Sequence, residues 1–186
     1  MADAVDSGLI LHRLPPGRGE ALQGLHVGRC GAGSECCAVL AEAPVDAGER
    51  EEDRSFEVNA RAVKRLGERC ADAGATLVHV STNHVFAGDR PEPYTEQDAP
   101  SPRSIYALSK LAGEYAALAY CPDALVVRSG GLYGRHGSAS KGGNFVQRML
   151  ARAHEQGSLK MVADQRLTPT FTADLAGSLV EAVETG

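Results

Sequence analysis

An alternation of helical and strand patterns, which begins near Ser55, constrains the fold more than any other feature of this sequence. Core-facing positions recur at helical spacing from Asn59 to Cys70, and Gly74 stands where such a helix would end. The next segment, Thr76-Leu-Val-His-Val-Ser81, is short, β-branched and almost continuously apolar, which is typical of a strand covered on both faces. Because strands alternate with helices, the pattern predicts βαβ units and a parallel sheet.

The later segments continue the alternation. In order, they are a turn-rich loop at 87–102, a helix from Ser104 to about Tyr120, a strand at 124–128, a glycine-rich loop at 130–143, a helix from Phe145 to about Gly157, a short strand at 159–162 and a helix that begins near Thr172 and turns Leu175, Leu179 and Val183 inward. Right-handed crossovers place ligands at the carboxyl ends of parallel strands. We therefore predict an α/β fold with a Rossmann-like doubly wound parallel sheet, in which the loops after Ser81 and Ser129 face one cleft.

The first 45 residues do not follow this pattern. A dinucleotide-binding fold normally opens with an apolar strand that runs into a Gly-x-Gly-x-x-Gly turn. The candidates here, Gly28-Arg-Cys-Gly31-Ala-Gly33 and Gly17-Arg-Gly19, neither follow a convincing strand nor open a clear helix. We therefore divide the chain into an irregular, divergent or truncated start at 1–45 and a Rossmann-like catalytic region at 46–186, which includes part of a small substrate-binding region.

Charge and hydropathy exclude several classes of protein. The net charge of -5 gives no reason to expect nucleic acid or an anionic membrane as a partner. The sequence has no apolar run near the roughly 20 residues that span a bilayer. Asp3 and Asp6 stand where a signal peptide carries positive charge. We expect a cytoplasmic protein.

The cysteines do not form a disulfide framework. They are odd in number and lack paired spacing, at Cys30, Cys36, Cys37, Cys70 and Cys121. A zinc site at the first three with His26 lacks the second half that such sites have. Reduced thiols are the better interpretation, and we expect no metal.

The strongest chemical pattern is Tyr106-Ala-Leu-Ser-Lys110, within a predicted helix. Residues four apart lie on one helical face, with Cβ atoms roughly 5–6 Å apart. A phenol has a pKa of about 10, and an ammonium one turn away would lower that pKa by favouring the phenolate. Thr82, at the end of the preceding strand, could hydrogen-bond a substrate oxygen. The plainer alternative is an ordinary tyrosine and lysine on a surface helix.

The order of several motifs resembles a known family. Ser81-Thr-Asn-His-Val-Phe-Ala-Gly88 is similar to Ser-Thr-Asp-Tyr-Val-Phe-Asp-Gly, and Pro93-Tyr-Thr-Glu-Gln-Asp-Ala-Pro-Ser-Pro102 to Pro-Tyr-x-Glu-x-Asp-x-Pro-x-Pro. Ile105-Tyr-Ala-Leu-Ser-Lys-Leu-Ala-Gly-Glu114 is similar to Tyr-Gly-x-Ser-Lys-Leu-x-Gly-Glu. The chain thus resembles the extended short-chain dehydrogenases/reductases of the dTDP-4-dehydrorhamnose reductase family from about residue 45 to 176, and the resemblance implies truncation at both ends.

The resemblance implies an oxidoreductase that uses NADPH or NADH to reduce a 4-keto sugar attached to dTDP. Tyr106 would donate the proton, Lys110 would orient the cofactor and tune Tyr106, and Thr82 would hold the substrate oxygen. The implied cofactor-binding residues are Asn59, Ser81, Tyr106, Lys110 and Ser129. The implied substrate-binding residues are Thr82, Asn83, His84, Gly131, Asn144 and Gln165. The expected partner is a nucleotide sugar, neither nucleic acid nor membrane is expected, and a homodimer stays open.

Departures from the family pattern keep other functions open. The glycine-rich pyrophosphate turn is not recognisable, Asn83 and His84 replace an acid and a tyrosine, and Arg128-Ser-Gly-Gly131 replaces Arg-Thr-Ser-Trp. One alternative is a non-catalytic nucleotide-binding or regulatory subunit like the beta subunit of methionine adenosyltransferase, which resembles the same family. Another is an inactive fragment.

Overall fold

The computed structural model describes residues 25–30, 34–40, 49–134, 144–163 and 168–185. The strands in these ranges are β1 (Leu25–Cys30), β2 (Ser34–Leu40), β3 (Thr76–Thr82), β4 (Ala124–Ser129), β5 (Gly131–Tyr133) and β6 (Pro169–Phe171). The α-helices are α1 (Glu52–Phe56), α2 (Ala62–Ala73), α3 (Ile105–Tyr120), α4 (Phe145–Gln156) and α5 (Thr172–Thr185). A π-helical turn at Glu57–Arg61 joins α1 to α2, and a 3-10 turn at Asn83–Val85 follows β3. Among the described helices, none has the length and apolar character needed to cross a membrane.

The main sheet has four strands in the order β1-β2-β3-β4. Strands β2, β3 and β4 are parallel, with β3 between the other two. Thr82 at the end of β3 lies opposite Ser129 at the end of β4. The predicted parallel α/β arrangement is therefore confirmed for these strands, and their carboxyl ends meet at one edge of the sheet.

Strands β1 and β2 lie in the segment that the sequence analysis interpreted as irregular. They pair antiparallel, with Gly28 opposite Cys36. Gly28 therefore lies within a strand and not in a strand-to-helix turn, whereas Gly31, Gly33 and the Gly17-Arg-Gly19 candidate lie outside the described residues. The residues of β1 did not predict this strand, because strand formation depends on pairing with neighbouring strands more than on the residues alone. The boundary at residue 45 stays a prediction.

Helices cover both faces of the sheet. Successive β3 side chains point to opposite faces, so β3 packs against different helices on each face. On one face, Leu77 packs with α2 and α3 in a buried cluster of Val63, Cys70, Ala75, Leu77, Ala117 and Cys121. On the other face, Val78 and Val80 pack against α5, together with Leu125, Val127, Leu175, Leu179 and Val183. The inward face predicted for the last helix is thus confirmed.

Local stereochemistry ends and begins the helices where the sequence predicted. Helix α2 ends at Gly74, which has a left-handed φ of 64°, and α4 ends at Gly157, with φ 66°. Helix α3 begins after Ser104, whose side chain accepts a hydrogen bond from the backbone N–H of Ala107 at 3.1 Å. These boundaries place the Tyr106–Lys110 pair in the first turns of α3, next to the end of β3.

The strand predicted at 159–162 was wrong. These residues form no regular element, and the side chains of Met161 and Val162 are exposed. A strand needs a neighbour for its backbone hydrogen bonds, and the second sheet instead pairs β5 with β6 in parallel, with Leu132 opposite Thr170. Part of the predicted glycine-rich loop is thereby ordered as β5.

Candidate active site

Side chains of α3 hold the carboxyl end of β3. The phenol of Tyr106 lies near the hydroxyl of Thr82, close enough for that hydroxyl to act on its pKa. One turn further along α3, Nζ of Lys110 donates a hydrogen bond to the backbone carbonyl of Val80 at 2.7 Å. Because residues four apart share a helical face, both contacts come from one side of α3. The structure therefore brings Thr82, Tyr106 and Lys110 together at the edge of the sheet.

Thr82 links the strand tip to the phenol. Its Oγ1 accepts a hydrogen bond from the backbone N–H of His84 at 3.2 Å, so its own hydrogen stays available to the Tyr106 oxygen or to a substrate oxygen. The ring of His84 lies edge-on to that of Tyr106, with centroids 6.0 Å apart. Burial raises the pKa of Tyr106, and the hydrogen bond from Thr82 acts in the opposite direction. The net effect keeps Tyr106 protonated at neutral pH.

Lys110 is almost completely buried, with 2% of the residue exposed. Burial lowers its pKa to about 8, and the charge of Glu114 acts to raise it. The sequence analysis expected Lys110 to lower the pKa of Tyr106. In the structure the ammonium is bonded to Val80, and the pKa of the phenol is raised, because the cost of burying a phenolate outweighs the stabilisation that it receives.

Asn59 connects the π-helical turn to the helix that carries Tyr106. It is fully buried, and its Nδ2 donates to Oγ of Ser109 at 2.9 Å. Ser109 in turn donates to the backbone carbonyl of Tyr106 at 2.8 Å. Oδ1 of Asn59 has no hydrogen-bond partner among the described residues. Asn59 is thus placed beside the site and keeps one acceptor unused.

The two predicted serines occupy neighbouring strand ends. Ser129 is buried opposite Thr82. The hydroxyl of Ser81 donates to Oε1 of Glu114 at 2.5 Å, so it is directed toward α3. Of these two cofactor candidates, Ser81 is used to join β3 to α3.

The predicted substrate residues do not form a single group. Asn83 and His84 lie in the 3-10 turn that directly follows Thr82. Gly131 begins β5, opposite Pro169. Asn144 caps α4: its Oδ1 accepts from the backbone N–H of Gln147 at 2.8 Å, and its Nδ2 donates to the carbonyl of Gly134 at 3.0 Å. Gln165 lies outside the described residues.

Sequence reasoning missed a partly buried ion pair beside the site. Glu114 is 2% exposed, and both of its oxygens accept from the guanidinium of Arg128, with the shortest distance 2.7 Å from Nη2. The spacing held the signal, since Glu114 lies four residues after Lys110 and so shares its helical face. His79, on β3, is fully buried, and its pKa is lowered to about 3 by burial and by Lys110. Neither ring nitrogen has a hydrogen-bond partner within the described part of the chain.

No candidate metal site occurs in the part of the chain whose side chains are described. No cluster of three or more His, Cys, Asp or Glu residues occurs there. The buried thiols of Cys70 and Cys121 belong to the core cluster. The structure does not describe the side chains of the weak zinc candidates His26, Cys30, Cys36 and Cys37.

Comparison with known proteins identifies the family. The model of the RmlD substrate-binding domain matches residues 36–186. The dTDP-4-dehydrorhamnose reductase of Mycobacterium tuberculosis is 42% identical over 154 residues, which cover 81% of this chain and 49% of the relative. The chain thus spans about half the length of the curated relatives that it matches.

Solved structures agree with this result. A dTDP-4-dehydrorhamnose reductase from Clostridium acetobutylicum superposes with a TM-score of 0.72 at 36% identity and covers 78% of this chain and 50% of its own. The Bacillus anthracis enzyme, solved in complex with NADP, also gives 0.72 at 36% identity, over 77% of this chain and 50% of its own. These structures match the α/β fold with its parallel strands over about half their length. The chain therefore belongs to the RmlD substrate-binding domain family and is a homologue of the dTDP-4-dehydrorhamnose reductases.

Proposed function

We propose that this protein carries out the NAD(P)H-dependent reduction of a 4-keto nucleotide sugar, with Tyr106 as the proton donor. The observation that carries the proposal is the position of Tyr106 beside Thr82 at the tip of β3, one helical turn from the buried Lys110. Its homology to dTDP-4-dehydrorhamnose reductases, one of them solved with NADP, supports the choice of substrate class and cofactor.

The chemistry requires a proton at a defined oxygen. Reduction of a ketone adds a hydride to the carbonyl carbon and leaves an alkoxide, which must gain a proton to become the alcohol. A phenol whose pKa is raised by burial holds its proton at neutral pH, so Tyr106 can donate it to the developing alkoxide. Thr82, whose hydroxyl lies beside the same phenol oxygen, would donate its hydrogen to the substrate oxygen and so hold that oxygen close to the Tyr106 proton.

The side chains around Tyr106 fit a nicotinamide cofactor by their donor set. Lys110 has three N–H groups and uses one on Val80, so two remain for ribose hydroxyls. Oδ1 of Asn59 is a buried acceptor that has no partner among the described residues. A bound NADPH or NADH would supply the hydride.

The test is the oxidation of NADPH and of NADH by the purified chain with a dTDP-4-keto-6-deoxy sugar. Tyr106→Phe removes the proton and should lower kcat by ~10²–10⁴, the usual effect of losing a positioned acid. Tyr115→Phe is the matched control, because Tyr115 lies on the same helix and is 59% exposed. Its kcat should equal that of the wild type.

Calorimetry separates this proposal from the non-catalytic alternatives. A folded chain that binds neither nicotinamide cofactor and does not oxidise NADPH would contradict the reductase proposal and favour a regulatory subunit or an inactive fragment. Full activity of Tyr106→Phe would leave a reductase but remove Tyr106 as its acid.

A further inference from the structure

We propose that Glu114 is a positioning residue that ties the end of β3 to α3 and provides the counter-charge of Lys110. The inference rests on the reductase function proposed above for its effect on turnover. Its structural part concerns the charge of Lys110 and can be measured without a substrate.

The contacts of Glu114 join three elements. From β3, Oγ of Ser81 donates to Oε1 at 2.5 Å. From β4, Nε and Nη2 of Arg128 donate to the same carboxylate at 3.1 and 2.7 Å. A buried carboxylate is expensive unless it is paired and hydrogen-bonded, and both conditions are met here. Glu114 therefore fixes the lateral position of α3 against the ends of two strands.

Ser81 is the middle residue of three that α3 holds. The carbonyl of Val80 accepts from Lys110, and the side chain of Thr82 lies beside that of Tyr106. Because these residues are consecutive, a displacement of Ser81 would move both neighbours relative to α3. A misplacement of about 1 Å can cost about 10²-fold in rate. The Ser81–Glu114 hydrogen bond is thus a third tie that aligns the strand tip with the phenol.

The charge of Glu114 also acts on Lys110. The two residues are four apart on one helical face, and both are buried. Of the other titratable or charged groups near Lys110, His79 from β3 is neutral above pH 3, Tyr106 from α3 is protonated, and Arg128 from β4 is cationic. The carboxylate is therefore the negative charge that offsets the buried Lys110 and the partly buried Arg128 in this part of the described chain.

The same network reaches the loop that follows the strand. The guanidinium of Arg128 lies over the ring of Phe86, 4.9 Å from its centroid. Phe86 stacks on Tyr94 with ring centroids 4.5 Å apart. Loss of Glu114 would release Arg128 from its ion pair and weaken the support of this loop as well.

The decisive experiment is an NMR titration of the lysine side chains in the full chain, labelled with ¹³C-lysine. The protein has four lysines, Lys64, Lys110, Lys141 and Lys160, and Lys110→Arg assigns the buried one. In Glu114→Gln, the titration midpoint of Lys110 should fall by about one pH unit or more, the effect of losing an opposite charge at short range. Lys64, which pairs with Glu68 at the surface, should keep its midpoint.

Two further variants complete this test. Glu57→Gln is the matched control, because Glu57 is also bound by two arginines but lies at the surface. The titration midpoint of Lys110 in Glu57→Gln should equal that of the wild type. Glu114→Asp keeps the charge on a shorter side chain and should give a midpoint between those of the wild type and Glu114→Gln. An unchanged Lys110 midpoint in a folded Glu114→Gln variant would overturn the proposal.

Turnover provides the second measurement. The basic limb of the plot of kcat against pH should move to lower pH in Glu114→Gln by the same amount as the Lys110 midpoint. In Glu114→Asp, this shift should be smaller. Ser81→Ala, which keeps the ion pair, should lower kcat about tenfold with KM within a factor of two. A wild-type kcat in Ser81→Ala would overturn the role of the Ser81–Glu114 hydrogen bond in aligning the end of β3 with α3. Absence of turnover in the wild type would contradict the proposed reductase, whereas the titration would still decide the role of Glu114.

Discussion

The ε-ammonium of Lys110 donates a hydrogen bond to the backbone carbonyl of Val80, 2.7 Å away and two residues before Thr82. The contact anchors a cation beneath the strand tip, although burial makes that cation costly. Its pKa is lowered from 10.5 to about 8, a difference that corresponds to about 3 kcal/mol. The protein therefore spends stability to hold a charge beside Tyr106, as functional sites often do.

This cost predicts a specific pH dependence of stability. Between pH 8 and 10.5 the unfolded chain binds the Lys110 proton and the folded chain does not, so the wild type gains stability as pH rises through that window. The stability of Lys110→Met relative to the wild type should therefore fall as pH increases from 7 to 10.5, by up to about 3 kcal/mol. Urea unfolding at several pH values measures the difference. Lys64→Met, at an exposed site, should show a constant difference, and a constant difference for Lys110→Met would refute the depressed pKa.

Removal of the Thr82 hydroxyl should affect catalysis more than folding. Thr82→Val keeps the shape of the side chain but removes the hydrogen bond that lowers the pKa of Tyr106. We expect kcat to fall about 10²-fold, as on loss of one positioned donor in a site for a developing oxyanion. Thr76→Val, at the other end of β3, removes an exposed hydrogen bond to Asp123 and should leave kcat unchanged. Equal kcat in both variants would separate Thr82 from the chemistry.

Two helical glycines should respond to alanine with opposite signs. A Cβ on Gly113 would overlap the backbone carbonyl of Asn59 and approach Nε2 of His79. Gly113→Ala should therefore lower the free energy of unfolding by about 1–3 kcal/mol, the usual cost of overpacking. Gly177, in α5, has open space around its Cβ position, and Gly177→Ala should raise stability by about 0.5–1 kcal/mol because alanine is the better helix former. Chemical denaturation of both variants measures the contrast, which a loss of stability in both would contradict.

Substitutions of Asn144 distinguish a helix-capping role from a substrate-binding role. It forms a capping box with Gln147 at the start of α4. Asn144→Ala should destabilise this helix by about 1 kcal/mol, visible as faster hydrogen exchange of α4 amides, whereas Asn144→Asp keeps the accepting oxygen and should exchange as the wild type does. An increase in KM in Asn144→Asp without faster exchange would instead indicate contact with the nucleotide sugar.

Local residue chemistry was sufficient for the helix boundaries and for the spacing of the site. Gly74 and Gly157 end helices because glycine accepts a left-handed φ without cost. Ser104 begins one because its oxygen satisfies a backbone N–H. The four-residue spacing of Tyr106 and Lys110 predicts their common face, since the helical repeat is a property of the backbone itself.

Only the tertiary structure decided the strand pairing at both ends of the described chain and the electrostatics of the site. Strands β1, β5 and β6 exist through hydrogen bonds to partners that local patterns do not identify. The pKa of Tyr106 is raised instead of lowered because burial, which is the sum of many distant contacts, outweighs one nearby cation. Lys110 binds Val80 and Glu114 binds Ser81 and Arg128 because the fold brings residues 30, 33 and 14 positions apart into contact, and no local period in the sequence encodes distances of that kind.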